Sequence, residues 1–129
     1  MVLQYKVHYT TRPSSTRDAP AGNADLKWVP PSSTLIYGKQ DAVLVDTALM
    51  IKGCKEVLDF VIASGKNLKY IYITHPHGDH NFGIGILKEY FSSARAIATK
   101  EAVEDMKKDI GVIPGERLVN VNTFRKLFP

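Results

Sequence analysis

The stretch that most constrains this chain is Tyr70-Ile71-Tyr72-Ile73-Thr74-His75-Pro76-His77-Gly78-Asp79-His80-Asn81-Phe82-Gly83. The protein has 4 histidines, and three of them fall in this one segment with an aspartate among them. A short apolar β-type run, Tyr70 to Ile73, leads into the cluster, and glycines come after it. Imidazole nitrogens and carboxylate oxygens are the donors that hold zinc and similar divalent ions. His75 and His77 are two apart, so in extended backbone they project to the same side. Gly78 lets the chain turn, after which Asp79 and His80 face a second point nearby, the layout of a two-metal site. Packing is a poor account of such a run, because burying that many polar groups unpaired is costly. An expression tag would sit at a chain end with no strand before it.

The run Thr74-His75-Pro76-His77-Gly78-Asp79-His80 resembles the His-x-His-x-Asp-His signature of the metallo-β-lactamase-fold hydrolases. Upstream, Ser33-Thr34-Leu35-Ile36-Tyr37-Gly38 followed by Ala42-Val43-Leu44-Val45-Asp46-Thr47 resembles that family's paired strands ending in an aspartate. The resemblance runs from about Ser32 to about Lys100. It implies metal-dependent hydrolysis of a small-molecule lactam, lactone, thioester or ester, with one or two zinc ions as cofactor. It implies His75 and His77 as ligands of one ion, and Asp79 and His80 as ligands of the other. Asp79 would also accept or pass a proton as a catalytic residue. Asp46 would orient a ligand from behind; without the resemblance it could equally cap a helix.

The resemblance also implies ligands that this sequence does not supply. No histidine follows His80, and Asp105 and Asp109 fall on the solvent side of a helical pattern. A catalytic zinc usually takes three protein ligands and keeps one open position, whereas only two per ion can be placed. A homodimer would only bring two identical half-sites together. The expectation is therefore residues 1–129 as a partial domain: the first half of an αββα sandwich, α/β (α+β) in class, with one mixed sheet and helices on one face. The rival expectation is a non-enzymatic, truncated remnant with an incomplete metal site.

At 129 residues the chain makes one domain at most. Hydrophobic residues at 44% and charged residues at 23% are those of an ordinary globular protein. No apolar run approaches the ~20 residues of a membrane span, and residues 1–12 lack the apolar core of a signal peptide. The single cysteine, Cys54, excludes an internal disulfide and falls among apolar residues on a helical pattern, as a small core residue does. These points fit a cytoplasmic protein. A net charge of +4 and a pI near 9.2 raise the question of an acidic partner. The basic residues are scattered, with Lys107-Lys108 and Arg125-Lys126 the only adjacent pairs after Lys39, and no basic stripe has aromatics between its charges. That argues against a nucleic acid partner.

Taken in order, Val2 to Tyr9 alternates as a strand, with His8 a partly exposed strand residue rather than a ligand. Thr10 to Ser33 is rich in proline, glycine and serine and reads as a long loop. Trp28 within it is either a substrate contact on a flap or an anchor of a mobile arm. Thr34 to Tyr37, a turn at Gly38 to Asp41, and Ala42 to Thr47 form a hairpin. Ala42 to Val45 is continuously apolar, which predicts cover on both faces. Leu49 to Ala63 carries an apolar stripe (Ile51, Cys54, Val57, Leu58, Val61, Ile62) and stops at Gly65. Leu68 to Thr74 is the next strand, completing a parallel βαβ unit.

Gly83 to Phe91 reads as a helix packed by Ile84, Leu87 and Phe91. Gly83-Ile84-Gly85 is not a dinucleotide loop, since Lys88 stands where the third glycine would be; the glycines instead give room for close packing. Next come a strand at Ala94 to Ala98, a helix from Lys100 to Ile110 capped by Thr99, and a strand at Leu118 to Val121. Helices for one face of the sheet leave the other bare, which predicts self-association through it.

Overall fold

The computed structural model describes residues 2–10 and 30–109. Trp28 and its flap, the end of the last helix at Ile110, and the strand expected at Leu118 to Val121 lie outside the described residues. The elements are β1 (Gln4–Tyr9), β2 (Ser32–Tyr37), β3 (Asp41–Val45), α1 (Ile51–Ala63), β4 (Asn67–Tyr72), the single turn α2 (Gly78–Asn81), α3 (Ile84–Tyr90), β5 (Arg95–Ile97) and α4 (Lys100–Asp109). The strands form one mixed sheet in the order β1-β2-β3-β4-β5. β1, β2 and β3 pair antiparallel, and β3, β4 and β5 pair parallel.

The topology is set by the connections. A short turn closes the β2–β3 hairpin, with Gly38 N–H donating to Asp41 O at 3.0 Å. Between β3 and β4 the chain must return to the same end of the sheet, and α1 is the crossover that does so. Gly65, past the end of α1, has φ +63° and donates to Ile62 O at 3.0 Å; that left-handed conformation is nearly free of strain only for glycine. Thr99 starts α4 as expected, its hydroxyl accepting from Ala102 N–H at 3.2 Å.

Alternation then sorts the side chains. Leu35, Leu44 and Ile71 form a cross-strand row, with no exposed surface, on the face that the helices cover. Cys54, Val57 and Val61 of α1, Ile84 and Leu87 of α3, and Ala102 and Met106 of α4 complete that core. Each fully buried Val, Leu or Ile there contributes roughly 1.5–3 kcal/mol. Leu68 and Ile71 are three apart, so a regular strand cannot present both to one face. The β3–β4 register resolves this: Ala42 pairs with Leu68 but Val43 with Tyr70, so Lys69 is bulged out and the phase is reset.

The opposite face carries two complete rows, Tyr5-Ile36-Val43-Tyr70-Arg95 and Val7-Thr34-Val45-Tyr72-Ile97. Tyr5 is 71% exposed and Tyr70 38%. The continuous apolar run in β3 thus has one buried side, at Ala42 and Leu44, and one half-open side, at Val43 and Val45, rather than cover on both. This is the mixed α+β sheet with helices on a single face that the sequence predicts. Among the described residues, no helix is long and apolar enough to cross a membrane.

Candidate metal centre

The parallel strands β3 and β4 end side by side, and the residues just past their ends build one site. In open sheets with parallel strands, ligands gather at the carboxyl ends of those strands. Asp46 comes directly after β3 and extends the ladder by one bond, its N–H donating to Tyr72 O at 2.8 Å. It adopts φ 59°, a left-handed conformation that aspartate tolerates better than most residues with a side chain. Its carboxylate is buried and turns onto the loop after β4. Oδ1 accepts from Thr74 N–H at 2.8 Å, and Oδ2 accepts from the Thr74 hydroxyl at 2.7 Å. Oδ2 also lies 2.9 Å from His80 Nδ1.

Thr47 pins the far side of the loop. Its N–H and its hydroxyl both donate to His80 O, at 2.8 and 3.0 Å, and the hydroxyl accepts from Gly83 N–H at 2.9 Å. Behind it, the Ser33 hydroxyl donates to Thr47 O at 3.0 Å. Asn81, 2% exposed, closes the loop from within: its side-chain amide donates to Pro76 O at 2.7 Å and His77 O at 2.9 Å. Satisfied this way, a polar loop can sit against the core without the cost of unpaired buried groups.

The glycines here act through space rather than backbone freedom. Among the described glycines only Gly65 has positive φ, so Gly78 does not turn the chain by adopting a conformation others avoid. A β-carbon at 78 would instead lie 2.6 Å from the Phe82 ring, and one at 83 would lie 2.8 Å from Thr47 Cβ. The close-packing account of the glycine pair holds at Gly83 and fails at Gly85, where an added β-carbon meets nothing within 4 Å.

These contacts bring three imidazoles together. The His75 and His80 rings lie 3.9 Å apart, tilted by 49°, and the His77 ring meets His75 edge-on at 4.8 Å. One donor atom from each of Asp46, His75 and His80 falls within 4.8 Å of the other two. Asp79 Oδ2 stands 3.5 Å from His80 Nε2. His77, exposed at the start of α2, and Asp79 flank this group without belonging to it. The resemblance pairs His75 with His77, whereas in the structure His75 shares its group with Asp46 and His80.

The donor set fits a divalent ion, since nitrogen and carboxylate oxygen suit zinc. Three hydrogen bonds already fall on the Asp46 carboxylate, which has only about four lone-pair sites. The pKa of His75 is pushed down by burial, then by the neighbouring His80 and His77, with Asp46 and Asp79 opposing. A neutral imidazole is the form that ligates metal.

His8 lies apart from the site. It stacks on Phe60 with ring centroids 5.3 Å apart and sits 3.8 Å from Glu56. Cys54 is buried, its thiol 3.3 Å from Ala48 O and its pKa raised by burial to about 11. A cavity of about 570 Å³ opens on the uncovered sheet face beside Ile36, Asp41, Val43 and Tyr70. It adjoins the start of β3, at the other end of the strands from His75 and His80. Thr47, Thr74 and Asn81 are the residues that reading by type missed. Their only signal is position, next to Asp46, His75 and His80.

The family model of the metallo-beta-lactamase superfamily matches residues 26–120. Among solved structures, the chain is similar to the metallo-beta-lactamase FIM-1 from Pseudomonas aeruginosa in its mono-zinc form. The identity is 16% and the TM-score 0.63, over 87% of this chain and 45% of that one. It is also similar to VMB-1, with 18% identity and TM-score 0.63 over 83% of this chain and 47% of the other. These two likenesses show the fold. A metallo-beta-lactamase from Cronobacter sakazakii is 30% identical, with TM-score 0.51, over 60% of this chain and 30% of that one. The chain spans less than half the length of each of these proteins. No curated protein matches it.

Proposed function

The chain belongs to the metallo-beta-lactamase superfamily, and from that premise we propose that it carries the metal-binding part of a metal-dependent hydrolase. The reading rests on the group of Asp46, His75 and His80, gathered within 4.8 Å where two parallel strands end. Zinc is the ion proposed, supported by the donor types and by the mono-zinc form of FIM-1. The substrate proposed is a small molecule with a lactam, lactone, thioester or ester bond. When bound, such an ion supplies Lewis acidity and acidifies water.

His75, His77, Asp79 and His80 are proposed as the ligands. Asp46 is proposed to orient His75 and His80 rather than to bind the ion, because the three hydrogen bonds it accepts, from the Thr74 N–H and hydroxyl and from His80, already commit it to the ligands' own loop. Asp79 is proposed to accept or pass a proton, a role supported by its position 3.5 Å from His80 Nε2. Thr47 and Asn81 hold the loop so that these side chains need not be ordered afresh on binding. Residues 1–129 are proposed as the first part of the αββα fold, with further ligands supplied by polypeptide beyond the described residues. The uncovered sheet face is the proposed surface for that polypeptide or for self-association, and the cytoplasm the proposed compartment.

A second reading, a non-enzymatic remnant with a partial metal site, is favoured by one observation: no histidine follows His80. Zinc content after dialysis tests the metal site in the wild type, His77→Ala and Asp79→Ala. Weak binding that falls in both variants is expected; equal zinc in all three would sink it. Chromogenic lactam and aryl ester assays, with zinc supplied, then compare this chain with a longer one carrying the histidines it lacks. EDTA-sensitive turnover by the longer chain alone supports the partial-fold reading. Comparable zinc-dependent rates from both would refute it, and none from either would favour the remnant.

A further inference from the structure

The hydrogen-bond geometry around Asp46 fixes more than the position of the loop. A carboxylate only accepts, and a threonine hydroxyl carries one hydrogen. The Thr74 hydroxyl lies 2.7 Å from Asp46 Oδ2, so its hydrogen is committed there. The same hydroxyl oxygen lies 2.9 Å from His75 Nδ1. With its hydrogen spent, it can only accept, so His75 Nδ1 must carry a proton to make that contact. His80 obeys the same rule directly, since its Nδ1 faces the carboxylate at 2.9 Å and must donate.

We infer that Thr74 is a positioning residue that relays the Asp46 carboxylate to His75, holding it as the Nδ1–H tautomer with Nε2 as the free lone pair. One carboxylate thus sets two histidines by different routes, His80 by contact and His75 through a hydroxyl. Threonine suits the task on two counts. Its backbone N–H is tied to Asp46 Oδ1 at 2.8 Å, which places Cα. Its β-branched side chain then has a restricted χ1, so the hydroxyl points one way. Serine would keep the chemistry with a looser direction, and valine would keep the shape without the relay. Loss of such an outer partner of a ligating histidine typically costs 10–100-fold in metal affinity.

The consequence for metal rests on the proposed metal centre; the tautomer does not, so the two are measured separately. Two-bond ¹⁵N–¹H spectra of the metal-free protein at pH 8 report which nitrogen of each imidazole is protonated. The wild type and Thr74→Ser are expected to show Nδ1–H at His75, and Thr74→Val to lose it. His80 is the internal control, because its contact with Asp46 bypasses Thr74, so its tautomer stays unchanged in all three unless the loop has collapsed. Zinc titration of the same samples is expected to give a 10–100-fold weaker Kd for Thr74→Val and a change of only a few-fold for Thr74→Ser. An unaltered His75 tautomer in Thr74→Val overturns the relay, and so does a loss at His75 and His80 alike. A Thr74-dependent tautomer in a wild type that takes up no zinc supports the relay and removes the metal-centre reading.

Discussion

Gly83 and Thr47 are in direct contact: the Gly83 amide donates to the Thr47 hydroxyl at 2.9 Å, and the approach leaves no room for a side chain at 83. A β-carbon there would lie 2.8 Å from Thr47 Cβ, 3.0 Å from its hydroxyl and 3.2 Å from Cys54 Sγ. These neighbours are buried and tied into the loop, so they cannot give cheaply. Gly83→Ala is expected to lose about 1–3 kcal/mol, the usual cost of overpacking. Gly85→Ala, in open space inside α3, should be neutral or gain ~0.5 kcal/mol from reduced freedom of the unfolded chain. Urea unfolding of the pair checks this; equal effects would refute the packing account.

Asp46 has a backbone role and a side-chain role, and two substitutions separate them. Asparagine tolerates φ 59° nearly as well as aspartate, whereas alanine does not. Asp46→Asn should therefore lose mainly its hold on Thr74 and His80, and Asp46→Ala should add backbone strain of about 1 kcal/mol or more. Zinc binding is expected to weaken in both. Denaturant midpoints should fall further for the alanine variant; the reverse order would show that the conformation at 46 is not under strain.

The depressed pKa of His75 gives a signed pH dependence. Its folded pKa lies below the unfolded value of about 6.5, so near and below that pH the unfolded state binds more protons. Stability from this group is complete above about pH 6.5 and declines as pH falls through the window between the unfolded and folded values. Metal-free protein should thus unfold more readily at pH 5 than at pH 7.5, and His75→Gln should lessen the difference. A His75→Gln slope equal to that of the wild type would exclude His75 as a source.

Cys54 is expected to be inert. Its thiol, raised to about 11 by burial, is almost wholly protonated at neutral pH, and the thiolate is the reactive form. Ellman's reagent should label the native protein only on the timescale of unfolding, and at once in denaturant. Immediate labelling of the native protein would contradict the buried position.

The hairpin, the βαβ unit and the loop of histidines were legible because each carries a local signal. Val43 and Leu44 differ little in type, however, and no local signal told which would be covered: that depends on the sheet having helices on one side only. The tight group around His75 was not legible either, because Asp46 and His75 are distant in sequence and meet only through the pairing of β3 and β4. Asn81 was passed over because a buried loop amide and an exposed turn residue look alike in a sequence.

The bulge at Lys69 gives β4 one residue of slack. Since Leu68 pairs with Ala42 and Tyr70 with Val43, excising Lys69 would join two ladder segments already in register. It would forfeit only an exposed ion pair with Asp41 at 3.8 Å, of a kind worth about 0–1 kcal/mol. Excising Tyr70 as well would bring Ile71 opposite Val43, toward the open side, and rotate His75 away from Asp46. In length, then, the strand that delivers the histidines is negotiable by one residue: a chain lacking Lys69 should keep the near-ultraviolet circular dichroism of the wild type, and one lacking both Lys69 and Tyr70 should not. Equal spectra for the two deletions would mean that the bulge does not set the phase.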